Sequence, residues 1–219
     1  MESLYSPLDI VRSGLCIGCG ACVSRPSGAV GMRFDPFGQL KPFGPGEWMT
    51  SGSKVFSRIC PFSPNALNED DLAAQLYPSS ENAHELLGRY QNAYVGYAAE
   101  DDFRSRGSSG GLVTWVATEL FRRKLVDGVA HVVAVNDPQT NGRFFRYEIS
   151  RTADDILRGA KSRYYPIELS SVLEEMSETP GRYLVVGIPY FIKAVQLLRR
   201  EDPSSVNGSP SHWVFSAAI

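Results

Sequence analysis

Cys16-Ile17-Gly18-Cys19-Gly20-Ala21-Cys22 puts three thiols into seven residues, and Cys60-Pro61 adds a fourth after a gap of 37 residues. The chain has no other cysteine, and the 159 residues after Cys60 contain none. A secreted disulfide scaffold spreads its cysteines along a short chain, and cysteines two residues apart pair with each other only under strain. A four-thiolate zinc site usually takes two separated Cys-x-x-Cys pairs. Three thiolates in one loop with a remote Cys-Pro fit a cubane 4Fe–4S cluster better, since two-residue spacers let successive thiolates converge on three corners. Gly18 and Gly20 let the backbone curl and leave N–H groups free for the cluster sulfurs. A single such loop means that Cys60 completes the same cluster. Zinc and unligated thiols remain the alternatives.

The rest of the chain is ordinary globular sequence. Over 219 residues, 43% are hydrophobic and 21% charged, which argues against wholesale disorder. A net charge of −2 lacks the basic footprint of a general nucleic-acid binder. No apolar run is long enough to span a membrane, and the N-terminus shows no secretory signal, so a cytoplasmic protein is expected.

Residues 1–65 hold 9 of the 20 Gly and 7 of the 14 Pro, which predicts loops folded around the cluster, with turns at Asp35–Gly38 and Phe43–Gly46. Residues 66–92 read as a linker with a short helix on each side of Pro78-Ser79-Ser80. From residue 93 the pattern alternates. Strands are expected at 93–99, 129–135, 143–149 and 183–187, and helices at 108–124, about 171–177 and 191–200. Asn141-Gly142 suggests a hairpin. Thr152 and Ser171 each open a capping-box pattern, with a short helix from Thr152 to Leu157. The fold class is therefore α/β (α+β overall): a loop-rich, ferredoxin-like segment at 1–65, the linker at 66–92, and a mixed-sheet α/β domain at 93–200. Residues 201–219 form an atypical tail that does not continue the rhythm.

Two loops could meet a cofactor. Ser108-Ser109-Gly110-Gly111 lies before a helix, where free N–H groups and a helix dipole suit a phosphate, with Arg104 and Arg106 nearby. From the residues alone, an N-cap by Ser108 or Ser109 is the simpler reading. Lys161-Ser162-Arg163-Tyr164-Tyr165 offers cations and stacking rings, or equally a solvated loop covering a sheet edge. His84, His131 and His212 pair with no nucleophile, and His131, inside an apolar run, reads as a bonded core histidine. Arg122-Arg123-Lys124 suits a helix C-terminus. No side chain is marked as a catalytic acid or base.

Taken in order, CIGCGAC with its distant Cys-Pro, GYAAEDDFRSRGSSGGLVTWVATELFRRKLVDGVAHV, ILRGAKSRYYPI and YLVVGIPYFIKAVQLLRR resemble the coenzyme F420 hydrogenase/dehydrogenase β-subunit family from about residue 14 to 200. The resemblance implies an iron–sulfur flavoprotein oxidoreductase that passes electrons between a 4Fe–4S cluster and FAD or a two-electron carrier, coenzyme F420 in some members. It is related to the ferredoxin-dependent 7-hydroxymethyl chlorophyll a reductase. It implies that Cys16, Cys19, Cys22 and Cys60 hold the cluster and that Ser108, Ser109, Gly110, Gly111, Lys161, Ser162 and Tyr164 lie around FAD. The implied partner is a ferredoxin or a hydrogenase- or dehydrogenase-like subunit. Two departures stand out. The family's Gly-x-Pro-Cys is here Gly187-Ile188-Pro189-Tyr190, and family members continue well past the point where this chain ends. The strand at 183–187 is thus expected to lack a neighbour on one edge unless another chain covers it, which predicts self-association and substoichiometric flavin. The rival readings are a one-electron transfer or regulatory iron–sulfur module lacking flavin, and a zinc-stabilised interaction module.

Overall fold

The computed structural model of the chain describes residues 3–24, 29–201 and 213–217. High Gly and Pro content keeps every element before residue 65 short. Helix α1 (Pro7–Arg12) starts on a capping box: Ser6 Oγ accepts from the Asp9 N–H, and the Asp9 carboxylate accepts from the Ser6 N–H. Strands β1 (Gly31–Phe34) and β2 (Leu40–Phe43) form an antiparallel hairpin. Its turn is the expected Asp35–Gly38, where the Asp35 carboxylate accepts from the N–H groups of Phe37 and Gln39. Helix α2 (Gly46–Thr50) follows, then α3 (Lys54–Ile59), which Ser53 caps and which ends at Cys60.

Helix α4 (Glu69–Leu76) forms where expected, on an Asn68–Asp71 capping box. The second helix expected in 66–92 does not form. Instead, β3 (Asn82–His84) and β4 (Gly88–Tyr90) pair as a small hairpin, with the Leu86 N–H donating to His84 Nδ1 at 3.1 Å. Leu86 and Leu87 stay exposed. A helical apolar face needs a surface to cover, and without one local hydrogen bonding decides. Residues 93–99 also differ from expectation. They pair with no strand among the described residues, Tyr94 and Val95 stand in solvent, and the segment is tied down by the Ala98 N–H donating to the Gly110 carbonyl at 2.8 Å. Apolar β-formers make a strand only where a neighbouring edge is within reach.

The α/β part then unfolds in order: α5 (Phe103–Arg106), α6 (Leu112–Arg122), β5 (Gly128–Ala134), α7 (Pro138–Asn141), β6 (Phe145–Ser150), α8 (Ala153–Arg158), α9 (Ser170–Glu178), β7 (Tyr183–Gly187), α10 (Pro189–Glu201) and β8 (Trp213–Ala217). The sheet order is β6-β5-β7-β8. The β5–β6 pair is antiparallel, and β5–β7 and β7–β8 are parallel. This is the mixed-sheet α/β class expected. Helix α6 begins at Leu112, four residues later than read, because Gly111 rather than a serine stands at its N-cap. The β5–β6 connection carries α7 in place of a two-residue turn. Helix α9 starts at Ser170, where the Glu168 carboxylate accepts from the Ser170 N–H at 2.6 Å; Ser171 is not its cap.

The tail corrects a larger expectation. Residues 213–217 pair in parallel with β7 from Tyr183↔Trp213 to Gly187↔Ala217, so β7 is an inner strand and its edge is covered by this chain. Trp-Val-Phe-Ser-Ala matches β7 in length and carries aromatic and β-branched residues that suit a strand. The Pro/Ser-rich sequence before it masked that signal. Residues 202–212 and 218–219 of the tail lie outside the described residues.

Helices cover both sheet faces. On one face Ala130, Tyr147, Ile149 and Val185 pack against Val172, Leu173 and Met176 of α9 and Phe191, Ala194, Val195 and Leu198 of α10. On the other, Val129 and Leu184 meet Ala117 of α6 and Ile156 of α8. Each such aliphatic side chain contributes about 1.5–3 kcal/mol on burial. Ala21 and Ile59 belong to the first of these clusters, so the cysteine segment is part of the core under α9 and α10. At the strand starts, the Arg182 side chain donates to both Asp127 carboxylate oxygens and to the Lys124 carbonyl, joining the turn before β5 to β7.

His131 is the bonded core histidine expected: buried, with Nε2 2.8 Å from Ser150 Oγ. Burial lowers its pKa to about 4, against a weaker opposing pull from Glu148 and Asp155. The folded state therefore resists a proton that the unfolded chain takes up near pH 6.5. The stability involved is complete above about pH 6.5 and is lost as pH falls toward 4, amounting to about 2 kcal/mol by pH 5. Urea midpoints at pH 7 and pH 5 should differ accordingly, and His131→Gln should flatten that difference. An equal pH dependence in the variant would assign it to other groups.

Candidate functional site

The cysteine loop turns on two glycines. Gly18 and Gly20 have φ of +73° and +81°. A Cβ on Gly18 would stand 2.4 Å from the Leu40 carbonyl oxygen, and one on Gly20 2.5 Å from Glu168 Oε2. Both positions thus need glycine for conformation and for space. The chain then enters a short 3-10 turn (Ala21–Val23) that carries Cys22, while α3 delivers Cys60 from the other side. The four thiols, from two segments, line one pocket walled by Ile10, Phe56, Pro61 and Phe62. The Leu169 N–H donates to the Cys19 carbonyl at 2.9 Å, and Lys41 Nζ donates to the Cys16 carbonyl at 2.5 Å. These bonds dock the loop on the start of α9 and on β2.

The donor set is chemically suited to a cationic group. Burial pushes the Cys19 thiol up to about 12 and Cys60 up to about 11, and Cys22 well above its ordinary range, with the neighbouring thiols adding to each shift. Such thiols ionise only when a positive centre compensates them. Among the described residues, no three His, Cys, Asp or Glu side chains are grouped closely enough to hold one metal ion. A tetrahedral zinc draws four sulfurs to about 2.3 Å from one centre, whereas a cubane offers each thiolate its own iron.

The two other loops singled out in the sequence meet each other. The Ser162 N–H donates to Ser108 Oγ at 2.9 Å across 54 residues. Lys161 holds a φ of +85°, unusual for a non-glycine residue, and Tyr164 is fully exposed. Arg104 stacks over the Tyr97 ring at 3.9 Å. Neither serine caps α6. Gly110 and Gly111 are accounted for by close packing, since a Cβ would meet the Gly96 carbonyl oxygen at 2.9 Å and the Phe103 carbonyl oxygen at 2.3 Å. The loops do not line the cysteine pocket.

Two further residues shape the site, and only Tyr190 stood out in the sequence. Glu168 is buried between the cysteine loop and α9, where its carboxylate accepts from the Ser170 N–H and stands beside Gly20. Tyr190 packs on Phe62 of the pocket wall with ring centroids 4.8 Å apart.

Residues 93–174 match the family described as coenzyme F420 hydrogenase/dehydrogenase, beta subunit N-term, which bears out the resemblance drawn from the motifs. No curated protein matches the chain. Among solved structures, it is similar to a chain of the F420-reducing [NiFe] hydrogenase complex from Methanosarcina barkeri, at 17% identity and a TM-score of 0.45. The match covers 55% of this chain and 42% of that one. Among the described residues, no helix is long and apolar enough to cross a membrane.

Proposed function

We propose, on the premise that residues 93–174 belong to the coenzyme F420 hydrogenase/dehydrogenase β-subunit family, that this chain is a cytoplasmic iron–sulfur flavoprotein oxidoreductase subunit working beside a redox partner protein. The observation that carries the reading is the convergence of all four cysteines on one pocket packed against the family-type domain. Cys16, Cys19, Cys22 and Cys60 would hold a 4Fe–4S cluster. The joined loops, through Ser108–Gly111 and Lys161, Ser162 and Tyr164, would hold FAD. When bound, a cluster passes single electrons while a flavin exchanges two, so together they connect one-electron and two-electron carriers.

The chain's own residues set the conditions for that chemistry. Ile10, Phe56 and Phe62 line the pocket and would limit water around bound thiolates, which would strengthen their bond to a cationic centre. The Leu169 N–H and Lys41 Nζ fix the loop through the Cys19 and Cys16 carbonyls, so neither bond occupies a thiol. The Ser108–Ser162 bond holds two distant loops as one surface, and Lys161 adds a cation there.

Anaerobic purification followed by iron, sulfide, zinc and flavin analysis tests this reading. About four irons and one FAD per chain are expected. Iron without FAD would favour the one-electron module, and stoichiometric zinc without iron would remove the redox reading. Ser108→Ala, which deletes the acceptor for the Ser162 N–H, should weaken FAD binding without changing the iron content.

A further inference from the structure

A second cleft opens at the free edge of β6, where that strand faces the first turn of α9. It has a volume of about 230 Å³, just under the usual range for small-molecule sites. Val135, Phe145 and Ile167 form apolar walls, and Arg143, Arg146 and Glu168 supply charge. From this cleft we infer a binding site for a small organic oxyanion, a phosphate or carboxylate carried on an apolar body, with Arg143 and Arg146 as its anchors. The inference goes beyond the redox reading and depends on none of the cysteines.

Three observations carry it. The cleft joins apolar walls to two guanidinium groups, and arginine reads planar oxyanions with paired donors. Each guanidinium carries five donors and has one carboxylate partner. Arg143 Nη1 lies 3.5 Å from Glu168 Oε1, beyond the roughly 2.7–2.9 Å of a tight charged pair. Arg146 Nη2 pairs with Glu148 Oε2 at 2.8 Å, but at the surface, with the two side chains 54% and 41% exposed, where solvent screens an ion pair and it contributes little. A third guanidinium borders the same wall: Arg163 stacks over the Phe145 ring at 5.2 Å. Its Nε is buried with no hydrogen-bond partner.

Glu168 gives the cleft its selectivity. Its carboxylate is nearly buried, accepts from the Ser170 N–H and faces Arg143. It repels an anion placed on its side, which directs the oxyanion toward Arg146 and leaves the apolar body against Phe145 and Ile167. The same carboxylate touches the space beside Gly20, so the cleft and the cysteine loop share one wall.

Inorganic phosphate and succinate are the two probes, titrated calorimetrically into the purified protein at low ionic strength. Saturable binding of one or both is expected. Arg146→Gln should weaken it at least about tenfold, as loss of a charge-assisted contact does, and Arg146→Lys should restore part of it. Tighter binding of phosphate would identify a phosphoryl ligand, and tighter binding of succinate a carboxylate ligand. Arg146 is exposed, so its variants should keep the circular-dichroism spectrum of the parent even if Arg143→Gln does not fold. Absence of saturable binding of either probe, or unchanged binding in Arg146→Gln, overturns the inference. Iron content, read on the same samples, reports on the redox reading independently.

Discussion

Cys19→Ser is expected to reduce bound iron from about four atoms per chain to nearly none, with loss of the visible charge-transfer absorbance. Cys19 is the cysteine whose loss should cost most. Its backbone carbonyl is held by the Leu169 N–H, and its side chain packs against the core under α9 and α10. A serine hydroxyl there is a harder, far less acidic donor and cannot follow the metal outward. The protein should remain folded, because the core cluster itself retains all of its buried aliphatic residues, and circular dichroism should show this. Retention of full iron content by the variant would mean that Cys19 is not a ligand and that the pocket has another purpose.

Gly18→Ala is expected to have the second largest effect, both on stability and on iron loading. At φ +73° an alanine carries about 1–2 kcal/mol of left-handed strain, and its Cβ would lie 2.4 Å from the Leu40 carbonyl oxygen. Backbone cannot yield as a side chain tip can, so the loop itself must move away from β2. That movement separates Cys16 from Cys19 and spoils the convergence. Gly38 provides the control. It has φ +74°, and nothing lies within 4 Å of a Cβ built there. Gly38→Ala should cost only the conformational strain and leave iron content unchanged. Urea unfolding and iron analysis of the two variants therefore separate strain from collision. Equal losses in both would show that the Leu40 contact does not matter.

Much of this molecule is legible locally. The cysteine spacing, the turn at Asp35–Gly38, the cap at Thr152, and the apolar runs of β5 and β7 all carry their signal within a few residues. Each corresponds to an element or turn of the structure. The order of strands and helices also pointed to a mixed sheet, because β5, β6 and β7 are joined by connections of the lengths that such pairs need.

What the local signal could not settle were outcomes of competition for partners. Residues 93–99 are strand-like by composition but find no edge. Residues 82–90 have helical spacing but no surface to cover, so they close a hairpin instead. Trp213–Ala217 gain a strand's role because β7 offers an open edge to them.

The same distinction holds at the site. The sequence by itself determined which side chains can bind a cationic centre, because four thiols in that spacing carry their chemistry with them. Only the tertiary structure decided that α3 brings Cys60 to the loop, that Ser108 meets Ser162, and that Glu168 stands between the cysteine loop and an arginine-lined cleft. A residue's chemistry is a property of its own atoms. Its neighbours depend on contacts between segments tens of residues apart, which form only when the whole core packs.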